Sequence, residues 1–133
     1  MIDCENEVYS RIVSKLRTDY SADIHTSSEY VKSPPAFPHV SIVMNDCYVM
    51  TETIDSADHE VNVVTFEINA YSNKTEGKKT ECKAIMKIID DFLMPLNFRR
   101  LSMTPVPNLE DASIYRLVAR YRVATDGTHF YRR

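Results

Sequence analysis

The chain has 133 residues, one domain's worth of sequence, and its 44% hydrophobic and 26% charged side chains are the balance of a folded soluble domain, excluding a disordered or membrane-embedded chain. Only two glycines occur, so a glycine-rich phosphate loop or a glycine-based repeat has almost nothing to be built from. The net charge of -3 is unevenly spread: residues 1–97 hold 9 basic and 16 acidic side chains (net -7), while residues 98–133 hold 7 arginines and 3 acids (net +4).

At the start, Asp3 stands where a helix N-cap is expected, with Glu5 and Glu7 on the favourable side of the helix dipole. Val8, Ile12, Val13 and Leu16 then recur at three- and four-residue steps, which predicts an amphipathic helix over Asp3 to Asp19. Residues Ala22 to Tyr30 suit a short edge strand, and Ser33 to Pro38 a stiff proline loop, with Phe37 as a core plug behind it.

Two alternating segments follow, Val40 to Met50 and Val61 to Tyr71, read as the strands of a long hairpin. Its tip, Thr51 to Glu60, is polar and acidic through Asp55, Asp58 and Glu60. Thr75 is placed to cap a second helix running to about Asn97, whose face of Ile85, Ile88, Ile89, Phe92, Leu93 and Leu96 is the strongest apolar stripe in the chain. Pro95 should disturb its last turn.

Two final strands, Arg99 to Val106 and Ser113 to Ala124, complete the order α-β-β-β-α-β-β. That order predicts a single α+β domain, a mostly antiparallel sheet with two long amphipathic helices packed on one face. In the last strand Tyr115, Leu117, Ala119, Tyr121 and Val123 point one way, and Arg116, Arg120 and Arg122 the other.

No pattern of catalytic or metal chemistry emerges. Cys4, Cys47 and Cys82 lack C-x-x-C spacing and suit a reducing compartment, and the four histidines form no ligand motif, so no metal or cofactor is expected. Asp90 and Asp91 point about 100° apart on a helix and read as solvated. The acidic start is unlike a signal peptide, and no apolar run is long enough to span a bilayer, so the chain is read as made in the cytosol.

Two binding classes remain. Arg99, Arg100, Arg116, Arg120, Arg122, Arg132 and Arg133 could track nucleic-acid phosphates, against which stand the acidic total and the missing aromatic-glycine pattern of an RNA-binding sheet. The other class is a protein that fits against proteins, anchored by arginines and by the ending Phe130-Tyr131-Arg132-Arg133, a tail suited to ordering by a partner.

The sequence also resembles a known family. Glu7-Val8-Tyr9, Ser28-Glu29-Tyr30-Val31, the run Pro-x-Phe-Pro-x-Val at 35–40, Glu-Ile-x-x-Tyr-Ser at 67–72, Gly-Lys-Lys-Thr-Glu-Cys-Lys at 77–83 and Ile-Tyr-Arg-x-x-x-Arg-Tyr at 114–121 resemble, in that order, the tail terminator or tail completion proteins of tailed phages and prophages of Gram-positive hosts. The resemblance implies an α/β sandwich and a non-enzymatic ring, usually of six copies. Such a ring caps the head-proximal end of the tail tube, stops its polymerisation and offers the docking face for the head. Implied partners are further copies, the tube protein and a head-completion or connector protein, with DNA passing through the lumen without specific binding. The implied location is the host cytoplasm during assembly and then the virion. Head-tail joining proteins of the neck are the sibling alternative. Arg116, Arg120 and Arg122 are expected on the neighbour-facing or lumen-facing side of the sheet, Arg99 and Arg100 are further expected contacts, and the 51–60 tip is the expected tube or head contact.

Overall fold

The computed structural model describes residues 4–29, 31, 34–49, 61–107, 112–126 and 130–131. Helix α1 spans Glu5–Asp19 and buries Val8, Ile12, Val13 and Leu16, the stripe that the periodicity predicts. Cys4 occupies its N-cap position without a side-chain cap; Asp3 lies outside the described residues.

Among the described residues the sheet has six strands: β1 (His25–Ser27), β2 (His39–Val49), β3 (Asn62–Ser72), β4 (Arg99–Pro105), β5 (Tyr115–Thr125) and β6 (Phe130–Tyr131). Their spatial order is β1-β2-β3-β5-β4, with β6 also pairing β5. Among the described residues only β1 runs parallel to its neighbour; the other pairings are antiparallel. The α+β class, the element order and the long β2–β3 hairpin are therefore as expected, with β6 added; the hairpin's tip at 51–60 lies outside the described residues.

Helix α2 spans Lys78–Leu93 and packs against α1, β3 and β5. The core between helices and sheet is formed by the even-numbered apolar side chains of β3 (Val64, Phe66, Ile68, Ala70) and the odd-numbered ones of β5 (Leu117, Ala119, Tyr121, Val123) against Ile12, Leu16, Ile85 and Ile89. On the same side of β5, Tyr121 is fully buried and Tyr115 packs at the core margin.

Several boundaries differ from expectation. Thr75 does not cap α2, because Gly77, at φ 84°, holds the left-handed turn directly before Lys78 and places Thr75 too early. The helix also stops at Leu93 rather than Asn97. Pro95 cannot donate to the helical ladder, the backbone tightens into a 3₁₀ turn at Met94–Leu96, and Asn97 (φ 73°) ends it. Phe98, next in the chain, turns back into the core within 6.2 Å of Phe66 and 5.3 Å of Phe130, ring centre to ring centre. Phe37 is not the expected core plug; it stays partly exposed because the bend at 35–38 leaves the sheet interior to Val40 and Ile42.

Bulges shift the register of β2 between Met44 and Asp46 and of β4 between Arg100 and Ser102. The first swings Cys47 onto the helix side. The second leaves Leu101 43% exposed on an edge strand.

Candidate interaction face

The sheet face turned away from the helices collects the polar side chains that alternation predicts. Register builds them into rows across the strands. One row runs Asp46 (β2), Thr65 (β3), Arg122 (β5), Arg99 (β4); the next runs Val43, Glu67, Arg120, Ser102. Arg116 stands opposite Tyr71 at the far end of β5.

The arginines on this face do not behave alike. Arg120 is satisfied within the chain: its Nε and Nη2 donate to Glu67 Oε1 at 3.3 and 3.1 Å. Arg116 donates from Nε to Asn69 Oδ1 at 2.8 Å, and its guanidinium lies 5.9 Å from the centre of the Tyr71 ring. Arg122 is different. Its Nε is buried and has no hydrogen-bond partner, and its register partner is another cation, Arg99, which is exposed. Arg100, one residue on, points to the helix side and pairs with Asp90 at 3.2 Å.

Asp90 was expected to be solvated, and the structure corrects this. It accepts a 2.8 Å bond from the Tyr121 hydroxyl and the Arg100 pair, with its side chain only 21% exposed, because α2 lays that flank over the β5–β4 edge. Burial, with the hydrogen bond to Asp90, pushes the Tyr121 hydroxyl far above its ordinary pKa. Asp91 does face solvent, paired with Lys87.

A second polar cluster was not anticipated. Glu81, its side chain 5% exposed, accepts from Ser72 Oγ at 2.6 Å and from Tyr20 Oη at 2.7 Å, with Lys74 Nζ at 3.2 Å. Burial alone would raise its pKa, but the bonds from Ser72, Tyr20 and Lys74 and the Lys74 charge outweigh it and hold the carboxyl below its ordinary value. This carboxylate ties the end of α1, the end of β3 and the first turn of α2 together.

Of the other expected contact residues, Asp55, Asp58, Glu60, Arg132 and Arg133 lie outside the described residues. Of the C-terminal tail, Phe130 and Tyr131 pair with Thr125 and Ala124 as β6, and the Phe130 carbonyl accepts from Asn97 Nδ2 at 2.9 Å. Phe130 thus sits against Phe98 in its own chain.

Two grooves lie on the surface of the described residues. An open groove of about 430 Å³ between α1 and Phe92 holds Arg11 and Lys15, which pair with Glu7 and Asp19, and beside them only serine and threonine hydroxyls. A second, of about 370 Å³, lies near Val106 and Ile114. Neither places a nucleophile beside a base. Among the described residues no three His, Cys, Asp or Glu side chains gather as metal ligands, and no helix is long and apolar enough to cross a membrane.

What sequence reasoning missed on the interaction face was the pairing pattern. Glu67 and Asn69 alternate onto the same face as the arginines, a signal present in the sequence. Only the β3–β5 register shows which arginine each one meets.

No family model matches the chain, and none of the curated proteins does. Among solved structures, a chain from the virion of a native gene transfer agent particle shares the fold. It superposes with a TM-score of 0.59 at 16% identity, covering 84% of this chain and 88% of that one.

Proposed function

We propose that this chain is a non-enzymatic structural protein of a phage-like particle, and that its place is the head-proximal end of the tail tube. There, copies form a ring, six in the family it resembles, that stops tube polymerisation and presents a docking surface to a head-completion or connector protein. The observation that carries the virion role is the fold shared with a chain of a gene transfer agent virion over most of both chains. The assignment to the terminator position rests on the sequence resemblance, whose strongest elements fall at structural positions. The 35–40 motif leads into β2, the 67–72 motif closes β3, and the 114–121 motif builds the strand that carries the arginines.

A ring is built from heterologous contacts, in which one surface of each copy meets a different surface of the next. The acidic body and the Arg-rich final quarter provide two such surfaces. A nucleic-acid role for the arginines is less well supported, since Arg100, Arg116 and Arg120 are occupied by Asp90, Asn69 and Glu67. DNA then passes the ring without being held. Assembly takes place in the host cytoplasm, and the protein ends in the virion.

The test is polymerisation of the tail-tube protein with and without the purified chain, followed by electron microscopy. Shorter tubes with ring density at one end are expected. Tubes of unchanged length with two bare ends would refute the assignment.

A further inference from the structure

One end of the outer sheet face carries a row of rings and cations. Register sets His25 (β1), His39 (β2), Tyr71 (β3) and Arg116 (β5) side by side across four strands. His39 is only 5% exposed, and the Tyr71 ring meets it edge-on with ring centres 6.0 Å apart. The hydroxyls of Ser27 and Ser41 donate to the Glu29 carbonyl at 2.9 and 3.0 Å, and Tyr71 Oη donates to that of Val31 at 2.8 Å, so the chain beyond β1 is tied to this face.

The hydrogen bonds fix the form of the buried ring. Ser27 has one hydroxyl proton, and it goes to Glu29, so its oxygen accepts from His39 Nε2, 3.1 Å away; the ring is neutral with its proton on Nε2. The other nitrogen, Nδ1, is buried and has no hydrogen-bond partner. A proton added there becomes a buried donor with nothing to accept it, and it brings a charge among groups that are neutral or cationic. From β1 His39 faces His25, from β3 Tyr71, and from β5 Arg116, whose guanidinium lies 5.9 Å from the centre of the Tyr71 ring. Asp23 and Glu29, the acids on either side of β1, are exposed, and among the described residues no carboxylate pairs with either histidine. Burial, reinforced by the His25 charge, holds His39 below the ordinary value of 6.5.

We infer that the His25–His39 pair is an acid-opened latch: protonation of His39 releases β1 from β2 and bares the β2 edge, while β2, β3, β5 and β4 stay paired. β1 is the element placed to yield, because it is three residues long on the edge of a sheet whose inner strands have eleven. A released His39 stands in water and takes a proton more readily than the latched one, so the open form gains as pH falls below about 6.5 and the latch is complete above it. The device is independent of the position in the tail, and each reading can fail without the other.

Hydrogen–deuterium exchange on the millisecond-to-second scale tests it, with each rate corrected for intrinsic exchange at its pH. One proton taken up on opening raises the open population by up to about ten-fold between about pH 7.5 and about pH 5.5. The amides of β1 are expected to exchange several-fold faster at the lower pH, while those of β3 and β5 hold their rates. His39→Gln, which keeps a donor for Ser27 and cannot titrate, is expected to exchange alike at both. Acceleration that persists in His39→Gln, that runs equally through β3 and β5, or that is absent from the unmodified chain would overturn the inference. If His39→Gln does not fold, NMR titration of the His39 ring in the unmodified chain decides. The ring is expected to titrate below 6.5, over the range in which β1 opens, and titration at or above 6.5 would overturn the inference.

Discussion

Replacing Glu81 with Gln removes one charge from the junction of α1, β3 and α2 while keeping its shape. Two hydroxyls, of Ser72 and Tyr20, donate to the carboxylate at 2.6 and 2.7 Å. A hydrogen bond to a charged group contributes about 1.5–3 kcal/mol and a neutral one about 0.5–1.5, so each bond loses about 1 kcal/mol and the substitution costs about 2 kcal/mol. The Lys74 pair adds little, because that side chain is 57% exposed. For 133 residues, at an unfolding entropy of about 2.1 cal/mol/K per residue, the loss lowers Tm by about 7 °C.

The same carboxylate sets a pH dependence. Its folded pKa lies below the ordinary value of 4.5, so below that value the unfolded chain takes up the proton more readily than the folded one. The stability it contributes is complete above about pH 4.5 and is lost as pH falls through the folded value. The gap in Tm between the unmodified chain and Glu81→Gln should therefore be widest near neutrality and close in acid. Differential scanning calorimetry across this range reads both. A Tm within about 2 °C of the unmodified chain at neutral pH, or a gap that does not narrow in acid, would refute the reasoning.

Other consequences follow from the same geometry. Tyr121→Phe removes the hydroxyl that donates to Asp90 at 2.8 Å and should cost about 1.5–3 kcal/mol in urea unfolding, while the Arg100–Asp90 pair keeps the β4 edge in place. Ile85→Ala, at a fully buried position between α2 and the sheet, should cost about 2–5 kcal/mol in the same assay, the range for opening a cavity in a packed core. The Cys82 thiol is buried, and burial, reinforced by the Glu81 charge, pushes its pKa up to about 12. A thiol reagent at neutral pH should label it only as fast as the chain opens; labelling at the rate of a free thiol would contradict its placement.

Both helices and the long strands were legible in the sequence because their signals are local. Val8, Ile12, Val13 and Leu16 mark one side of α1, and the alternation from Val64 to Ala70 marks one side of β3, without reference to any other segment. The bulges at Met44/Asp46 and Arg100/Ser102 were not legible, since a bulge exists only relative to the partner strand. The end of α2 was half legible: Pro95 signalled trouble, but whether the chain frays or tightens depends on Phe98 finding its place against Phe66.

The candidate site divides the same way. Period-two spacing alone put Arg116, Arg120 and Arg122 on one face. That Arg120 is satisfied and Arg122 is not follows from Glu67 and Thr65 being their respective register partners on β3, a long-range pairing. Asp90 read as a solvated acid and Glu81 did not stand out at all, because a lone carboxylate on an amphipathic helix gives no hint of the hydroxyl that will reach it. Their partners come from 61 and 31 residues away in the chain.

The central claim is the position at the head-proximal end of the tail, and electron microscopy of particles from the encoding phage or prophage with this gene deleted tests it most directly. Headless tails of excessive, uncontrolled length are the predicted result. Normal-length tails beside filled, unjoined heads would contradict it in favour of a joining protein of the neck, and intact particles would contradict any role in the neck at all.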